Sequence, residues 1–218
     1  MDDLILLTPP TVEPVTLAEL KLQCGFSPME DQDHVKSEML AQRLRRHLAT
    51  ARSRIESMTR RVFIAQTWQM NLDGFPGIDM RYNNPWERHA ILLPKQPFQN
   101  IVSVQYVDVT GTLVPLAQDT SYGNNLLGEY AYQLDPGSSG QPARIAPAWF
   151  VPWPLTRRVQ SAVQIVFAAG YGETGASLPP ELYQAILFLA HSYYDPGFYK
   201  DIETLIANLI GPYINRIS

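Results

Sequence analysis

Residues 37–72, SEMLAQRLRRHLATARSRIESMTRRVFIAQTWQMNL, decide the fold because the hydrophobic period changes within them. Up to Val62 the apolar residues recur at three- and four-residue steps, which places them on one face of a helix. From Gln66 onward they alternate with polar residues, the pattern of a half-buried strand. The stretch therefore predicts a long helix over 38–61, with Ser37 as N-cap, followed by a β-strand. The predicted buried face of this helix comprises Leu40, Leu44, Leu48, Ala51, Ile55, Met58 and Val62.

Further helices are predicted on both sides of this stretch. Thr16 and Glu19 have the spacing of a capping box, which predicts a short helix that ends near Gln23, with Gly25 as its stop signal. Toward the C-terminus, helical spacing returns after Pro180 and continues to the Asp-Pro-Gly sequence at 195–197. The apolar residues of this helix are Leu182, Ala185, Ile186, Leu189 and Tyr193, and those of a last segment are Ile202, Leu205, Ile206, Leu209 and Ile210.

The segment between these helices has the period of β-strands. Trp68, Met70 and Leu72 are predicted to point inward from the first strand, and two further alternating sets follow at 102–106 and 163–167. A turn at 108–112 containing Gly111 predicts a hairpin with a return strand over 112–116. Weaker strand patterns occupy 130–134 and 143–145. The many prolines and glycines between strands favour antiparallel pairing.

The order of helices, strands and helices predicts an α+β fold. Its helical bundle is expected to form from both ends of the chain, residues 1–62 and 171–218, with 198–218 as a C-terminal arm. An antiparallel β-rich domain over 63–170 is expected as an insertion.

Composition excludes several classes of protein. The chain has 218 residues, and 17 Lys and Arg against 21 Asp and Glu give a net charge of −4, so a strong free-standing nucleic-acid binder is not expected. No apolar run approaches the ~20 residues of a membrane span, and the acidic start differs from a signal peptide, so we expect a soluble protein without a membrane partner. The single cysteine, Cys24, fits a reducing compartment.

The sequence carries no compact catalytic or metal-binding motif, so no catalytic residue, metal or cofactor is predicted. Cys24 lacks a nucleophile signature, and no Gly-x-Ser-x-Gly elbow occurs. The glycines at 170, 172 and 175 lack the Lys-Ser/Thr of a phosphate loop and predict a strand-to-helix turn. A hydrolase with a carboxylate site in the β-rich domain stays an alternative, with Asp73, Asp79 and Asp108 as candidates. The scattered histidines, none in zinc-ligand spacing, are His34, His47, His89 and His191.

The helix over 38–61 is rich in arginine although the protein is acidic. A solvated face is one interpretation. Contact with phosphates or with an acidic partner is the other, because the guanidinium fork binds either anion in bidentate fashion. The residues proposed to face DNA or an acidic partner are Arg43, Arg45, Arg46, Arg52 and Arg54.

The last apolar segment also has two interpretations. It could close the helical core, or it could be an amphipathic arm, mobile in the free protein, that docks into a groove of another protein. The residues proposed for docking are Ile202, Leu205, Ile206, Leu209, Ile210 and Tyr213.

Several segments, in order along the chain, resemble the head-tail connector (adaptor) proteins of tailed bacteriophages and gene transfer particles. In the first half these segments are 13–21 (EPVTLAELK), 51–56 (ARSRIE), 66–68 (QTW) and 72–76 (LDGFP). In the second half they are 92–94 (LLP) with Pro97, 101–108 (IVSVQYVD), 153–154 (WP), 168–172 (AAGYG) and 178–179 (LP) before a helix over 185–194. The resemblance spans roughly residues 11 to 195, and it is carried by the succession of motifs.

The resemblance implies a structural virion protein without enzymatic activity. Members of that family form a ring, commonly dodecameric, beneath the portal, where they extend the DNA channel and join the capsid to the stopper or tail. The implied partners are the portal protein, a stopper or tail-completion protein, further copies of the chain and the packaged DNA. The implied location is the virion neck, after assembly in the host bacterial cytoplasm. The family's C-terminal segment reaches the portal, which by position implies 202–213 here. A stopper or tail-completion protein is the alternative within the virion.

Overall fold

The computed structural model describes residues 3–26, 34–77, 89–120, 130–138, 141–148, 151–197 and 201–214, with backbone only at 34–36. The chain forms two compact units. One unit contains Pro10–Ala65 and Tyr171–Ser218 and is helical, and the other contains Met1–Pro9 and Gln66–Gly170 and is built from strands. The α+β class expected from the change of period is confirmed.

The helical unit contains four α-helices and two short 3₁₀ turns in its described part. The α-helices are α1 (Leu17–Gln23), α2 (His34–Thr59), α3 (Pro180–Tyr194) and α4 (Ile202–Ile210), and the 3₁₀ turns are Gly175–Ser177 and Gly211–Tyr213. All four α-helices contribute to one apolar core. Its most deeply buried side chains include Leu20, Leu44, Ile55, Phe63, Leu182, Ile186 and Ile210.

Helix α1 begins with the predicted capping box. The Thr16 N–H donates to Glu19 Oε2 over 2.7 Å, and the Glu19 N–H donates to Thr16 Oγ1 over 3.2 Å. Gly25 follows the helix with a φ of 79°, a left-handed conformation that suits glycine at a helix end. Both ends of this helix are therefore set by local sequence.

Helix α2 departs from the prediction at both ends. It begins at His34, so Ser37 lies inside the helix and is not its N-cap. It ends at Thr59, where Arg60 takes a φ of 54° and redirects the chain, so the buried Val62 lies beyond the helix. Met58, in the last turn, is 37% exposed at the margin of the buried face, which corrects its assignment to that face.

The β unit contains a five-stranded antiparallel sheet. Its strand order is β1 (Asp3–Thr8), β2 (Gln66–Leu72), β9 (Val163–Ala169), β4 (Phe98–Val107) and β5 (Leu113–Pro115). A second sheet has the order β3 (Ile91–Leu92), β8 (Arg144–Pro147), β7 (Ala131–Asp135) and β6 (Ala117–Gln118), and only its β6–β7 pair is parallel. Residues 3–8 were expected in the helical bundle. They belong to the β unit because β1 pairs with β2, from Asp3 opposite Asn71 to Leu6 opposite Trp68.

The core of the β unit confirms most of the predicted alternation and corrects one position. Val163, Ile165 and Phe167 of β9 are fully buried. Val104 is buried as predicted, but Val102 is 57% exposed. The register between β4 and β9 shifts between Ile101 and Ser103, and a shift of one residue turns a side chain to the other face of a sheet.

Trp68 is half-buried against the core of the β unit, and the Lys95 Nζ lies 4.4 Å from the centre of its ring. Burying a large apolar side chain fully contributes about 1.5–3 kcal/mol, so Trp68→Ala is expected to destabilise the protein by about 1–2 kcal/mol. Urea unfolding measures this loss. A change near zero would mean that the ring contributes nothing to the core, and Lys95→Met serves as the control for the cation–π contact.

Candidate functional site

The arginines of α2 divide into two groups. The buried face of the helix contains Leu44, Leu48, Ala51 and Ile55. At 100° per residue, Arg43, Arg46 and Arg54 lie away from that face, and all three are exposed. Arg45 and Arg52 lie on the other flank of the helix, beside glutamates.

Arg52 is held inside the helical unit. Its Nε donates to Glu13 Oε2 over 2.8 Å, and its Nη1 donates to Glu56 Oε2 over 2.9 Å. The Arg52 side chain is only 17% exposed. It is therefore a structural residue in this conformation, and the site proposed from sequence loses one of its five arginines.

Glu56 links this ion pair to the backbone. Its second oxygen, Oε1, accepts the Phe63 N–H over 2.9 Å. Burial raises the pKa of Glu56, and the hydrogen bond from Phe63 and the charge of Arg52 oppose that shift. The group therefore fixes the chain just after α2, where the fully buried Phe63 enters the core.

Arg45 forms a second ion pair, which contributes less to stability. Its Nη1 lies 3.2 Å from Glu38 Oε1, and both side chains are more than half exposed. Exposed pairs contribute at most about 1 kcal/mol, so Arg45 is available for other contacts.

The remaining arginines, Arg43, Arg46 and Arg54, form what we call the basic face of α2. Among the described residues, Arg46 and Arg54 have no carboxylate within ion-pair distance, and the Arg43 guanidinium lies 5.9 Å from the Tyr194 ring centre. An open groove beside Arg54 is lined by small residues, which are Ala49, Thr50, Ser53 and Ser57.

The C-terminal segment packs against the helical core. Ile206 and Ile210 are buried, whereas Ile202, Leu205, Leu209 and Tyr213 are half-buried. This arrangement differs from the expected mobile arm and agrees with core closure, because the amphipathic helix has apolar surface of α3 to cover. The proposed docking role of these six residues stays a prediction.

Tyr213 anchors the end of this segment by two polar contacts. Its carbonyl oxygen accepts the Arg61 Nε–H over 2.7 Å, and its hydroxyl donates to Glu181 Oε2 over 2.8 Å. Arg61 is only 6% exposed. A buried guanidinium on the carbonyl makes release of the segment costly.

Within the described residues, no group of three or more His, Cys, Asp or Glu side chains could hold a metal ion. Burial raises the pKa of the Cys24 thiol to about 11, with Asp195 adding to the shift, so little thiolate exists near neutral pH. Burial lowers the pKa values of His47 and His191. The part of the chain that the structure describes contains no helix long and apolar enough to span a bilayer.

Two of the carboxylates considered for hydrolysis, Asp73 and Asp108, accept backbone hydrogen bonds outside the strands. Asp108 Oδ1 accepts the N–H groups of Thr110 and Thr112, each over 2.9 Å, and hydrogen bonds to these threonines lower the pKa of its carboxyl. Asp73 Oδ1 accepts the Ser161 N–H over 3.0 Å. Asp79 lies outside the described residues. Asp73 and Asp108 therefore serve as hydrogen-bond acceptors for nearby backbone N–H groups.

The glycines at 170, 172 and 175 form a strand-to-helix connection, as predicted. Gly170 follows β9 with a φ of 138°, and its N–H donates to the Pro97 carbonyl over 2.8 Å. A Cβ on Gly175 would collide with the Pro14 carbonyl oxygen. Close backbone packing, and not phosphate binding, accounts for Gly175.

No family model and no curated protein matches the sequence. Chains of solved structures share its fold. A chain from the neck of an empty gene transfer agent (GTA) particle, computed with C6 symmetry, has a TM-score of 0.70 and 21% identity over 98% of this chain and 95% of that one. A chain from the virion of a native gene transfer agent particle has a TM-score of 0.66 and 21% identity over 94% of each chain.

The third, from the neck of a native GTA particle computed with C12 symmetry, has a TM-score of 0.57 and 22% identity over 96% of this chain and 94% of that one. These likenesses are consistent with the resemblance to head-tail connector proteins. The chain has the fold of proteins from the neck and virion of gene transfer agent particles, over nearly its whole length.

Proposed function

We propose that this chain is a structural protein of the neck of a phage-like particle, a head-tail connector without enzymatic activity. It forms a ring beneath the portal, extends the DNA channel and joins the capsid to the stopper or tail. The observation that carries the proposal is the fold shared with a chain from a GTA neck over 98% of this chain. Coverage of 95% of that chain means that both units correspond, so the likeness is not confined to a common helical or β motif.

The basic face of α2 is the surface proposed to meet DNA or an acidic portal surface. Arg43, Arg46 and Arg54 are exposed and point to one side of the helix. Arg52 does not meet the requirement for an intermolecular role, because it already has two carboxylate partners. Arg45 lies on the opposite flank and supplies a matched comparison.

Arg46→Glu is expected to weaken binding to a portal ring or retention of DNA by roughly threefold to tenfold, a loss of about 1 kcal/mol. The effect should shrink as salt increases, because the screening length is about 8 Å at physiological ionic strength. A salt titration of binding measures it, with thermal unfolding as the check on folding. Arg45→Glu is the control, and an equal loss in both variants would contradict a localised basic face.

Portal docking by the C-terminal segment is the finer part of the proposal. In the described conformation, Ile206 and Ile210 are covered, so docking must use the half-buried Ile202, Leu205, Leu209 and Tyr213 or must release the segment. This docking is tested by crosslinking a Leu205→Cys variant, in a Cys24→Ala background, to a portal ring. A crosslink is expected if the segment docks on the portal, and its absence would contradict docking.

The alternative within the virion, a stopper or tail-completion protein, is tested by partner preference. We expect the chain to bind isolated portal rings and not tail-tube rings, as seen by negative-stain microscopy with and without each ring. Binding to tail-tube rings alone would place it in a lower layer. The hydrolase alternative receives no support from the positions of Asp73 and Asp108.

A further inference from the structure

Strand β1 is an apolar edge of the five-stranded sheet. It pairs with β2 on one side, and no described strand pairs with its other side. The four residues Leu4–Ile5–Leu6–Leu7 are uncharged, and Ile5, Leu6 and Leu7 are 40%, 40% and 47% exposed. Edge strands of free-standing proteins usually carry lysine, proline or a cover that prevents pairing with another chain. The interior of β1 carries no such residue, so its unpaired backbone groups are suited to receive another strand.

The opposite edge of the same sheet, β5, is also exposed and apolar. The backbone groups of Thr112 and Leu116 are directed toward β4. The Thr112 carbonyl accepts the Asp108 N–H over 2.9 Å, and the Leu116 N–H donates to the Val104 carbonyl over 2.8 Å. By the alternation of an antiparallel ladder, Leu113 and Pro115 direct their backbone groups outward. Pro115 lacks an N–H, but the Leu113 N–H and both carbonyls remain available. Leu113 is 47% exposed, and Val109 beside it is 65% exposed.

The two edges also have compatible directions. Each neighbouring pair across the sheet is antiparallel, from β1 through β2, β9 and β4 to β5, so β1 and β5 run in the same direction. A small rotation between adjacent copies nearly preserves strand direction, so β1 of one copy would lie parallel to β5 of the next. This contact joins two different surfaces of one chain, the type of contact that generates a ring.

We propose that β1 of one copy pairs with the β5 edge of a second copy of this chain, so that the five-stranded sheets continue from subunit to subunit. The inference rests on the proposed ring and names the contact that builds it. Pairing of β1 with β1 of another copy would instead give a closed two-fold dimer.

Crosslinking distinguishes these contacts. Ile5 pairs with Gln69, and Gln69 pairs with Val166 of β9, which lies between the inward-facing Ile165 and Phe167. Leu113 pairs with Val107, which follows the inward-facing Tyr106 of β4. Ile5 and Leu113 therefore lie on the same, outer face of the sheet. In a Cys24→Ala background, the full chain carrying Ile5→Cys and Leu113→Cys is treated with a short bismaleimide, which tolerates a small shift in register. We expect a ladder of covalent multimers beyond the dimer. Leu22→Cys with Leu113→Cys is the control for random collision, since Leu22 is 73% exposed on α1.

Two results would overturn the proposal: dimers from Ile5→Cys alone as abundant as the products of the double variant, or no ladder above the control. As a second readout, Leu6→Lys in the double-cysteine background should reduce the ladder at least tenfold at temperatures where its melting curve shows that the protein is folded, whereas Leu22→Lys should leave it intact. A ladder that persists in Leu6→Lys would also contradict the edge contact. Microscopy separates this inference from the proposed function. Crosslinked open filaments would support the contact between β1 and β5 but contradict the proposed ring. Portal-bound rings without a ladder of crosslinked multimers would support the ring but contradict the contact.

Discussion

Replacing Ile210 by alanine is expected to lower the free energy of unfolding of the helical unit by about 2–5 kcal/mol. The Ile210 side chain is fully buried at the end of α4, in the core shared with α2 and α3. Alanine removes apolar contact and leaves a cavity, and Arg61 on the Tyr213 carbonyl restrains the segment from closing over it. Urea unfolding followed by circular dichroism measures the loss.

The control for Ile210 is Asn208→Ala, an exposed position of the same helix that should change stability by less than about 0.5 kcal/mol. If Ile210→Ala also had no effect, α4 would be the mobile arm that the sequence allowed. The free protein would then present the whole apolar face of α4 to a partner.

Removing Arg52 is expected to have the second large effect, a loss of about 2–3 kcal/mol for Arg52→Ala, because its part-buried ion pairs lie between exposed and fully buried ones. Glu13 and Glu56 would then lie close together without a cation, and Glu56 would remain desolvated beside the Phe63 N–H. Thermal and urea unfolding both report the change.

Two companion variants make the Arg52 result specific. Glu56→Gln in the Arg52→Ala background should restore part of the stability, because it removes the charge left without a partner. Arg54→Ala, on the exposed basic face, should change stability by less than about 0.5 kcal/mol. Equal, small effects for Arg52 and Arg54 would contradict the structural role assigned to Arg52.

Local signals in the sequence predicted the elements that depend on local interactions. The Thr16–Glu19 box fixes the start of α1, and three- and four-residue spacing identified the buried face of α2 through Leu44 and Ile55. The alternation in β9 was equally clear, because each of its inward residues is apolar. These features require no knowledge of distant parts of the chain.

The features that the sequence analysis missed depend on tertiary contacts. Residues 3–8 become a strand through pairing with β2, and the exposure of Val102 follows from a register shift against β9. The structural role of Arg52 depends on Glu13, which is 39 positions away. The apolar run in β1 was a visible signal, but without its position at a sheet edge it did not indicate an interface.

The sequence predicted a basic site on helix α2, but it did not show which of the arginines belong to the site. Arginine enrichment identified α2, but the exclusion of Arg52 depends on its contacts with Glu13 and Glu56 in the folded chain. Sequence could not show that the C-terminal segment is covered by the core, since the same amphipathic pattern suits a core helix and a docking helix.

The proposed function makes this chain a ring-forming component of a particle neck. The most direct measurement is electron cryomicroscopy of purified particles whose copy of the chain carries a tag, with cyclic averaging applied to the neck. We expect a closed ring of copies directly beneath the portal, each fitting both units of the structure, with the basic face of α2 toward the channel or the portal. Density for the tagged chain in the tail tube, or particles that assemble and deliver DNA without it, would contradict the account.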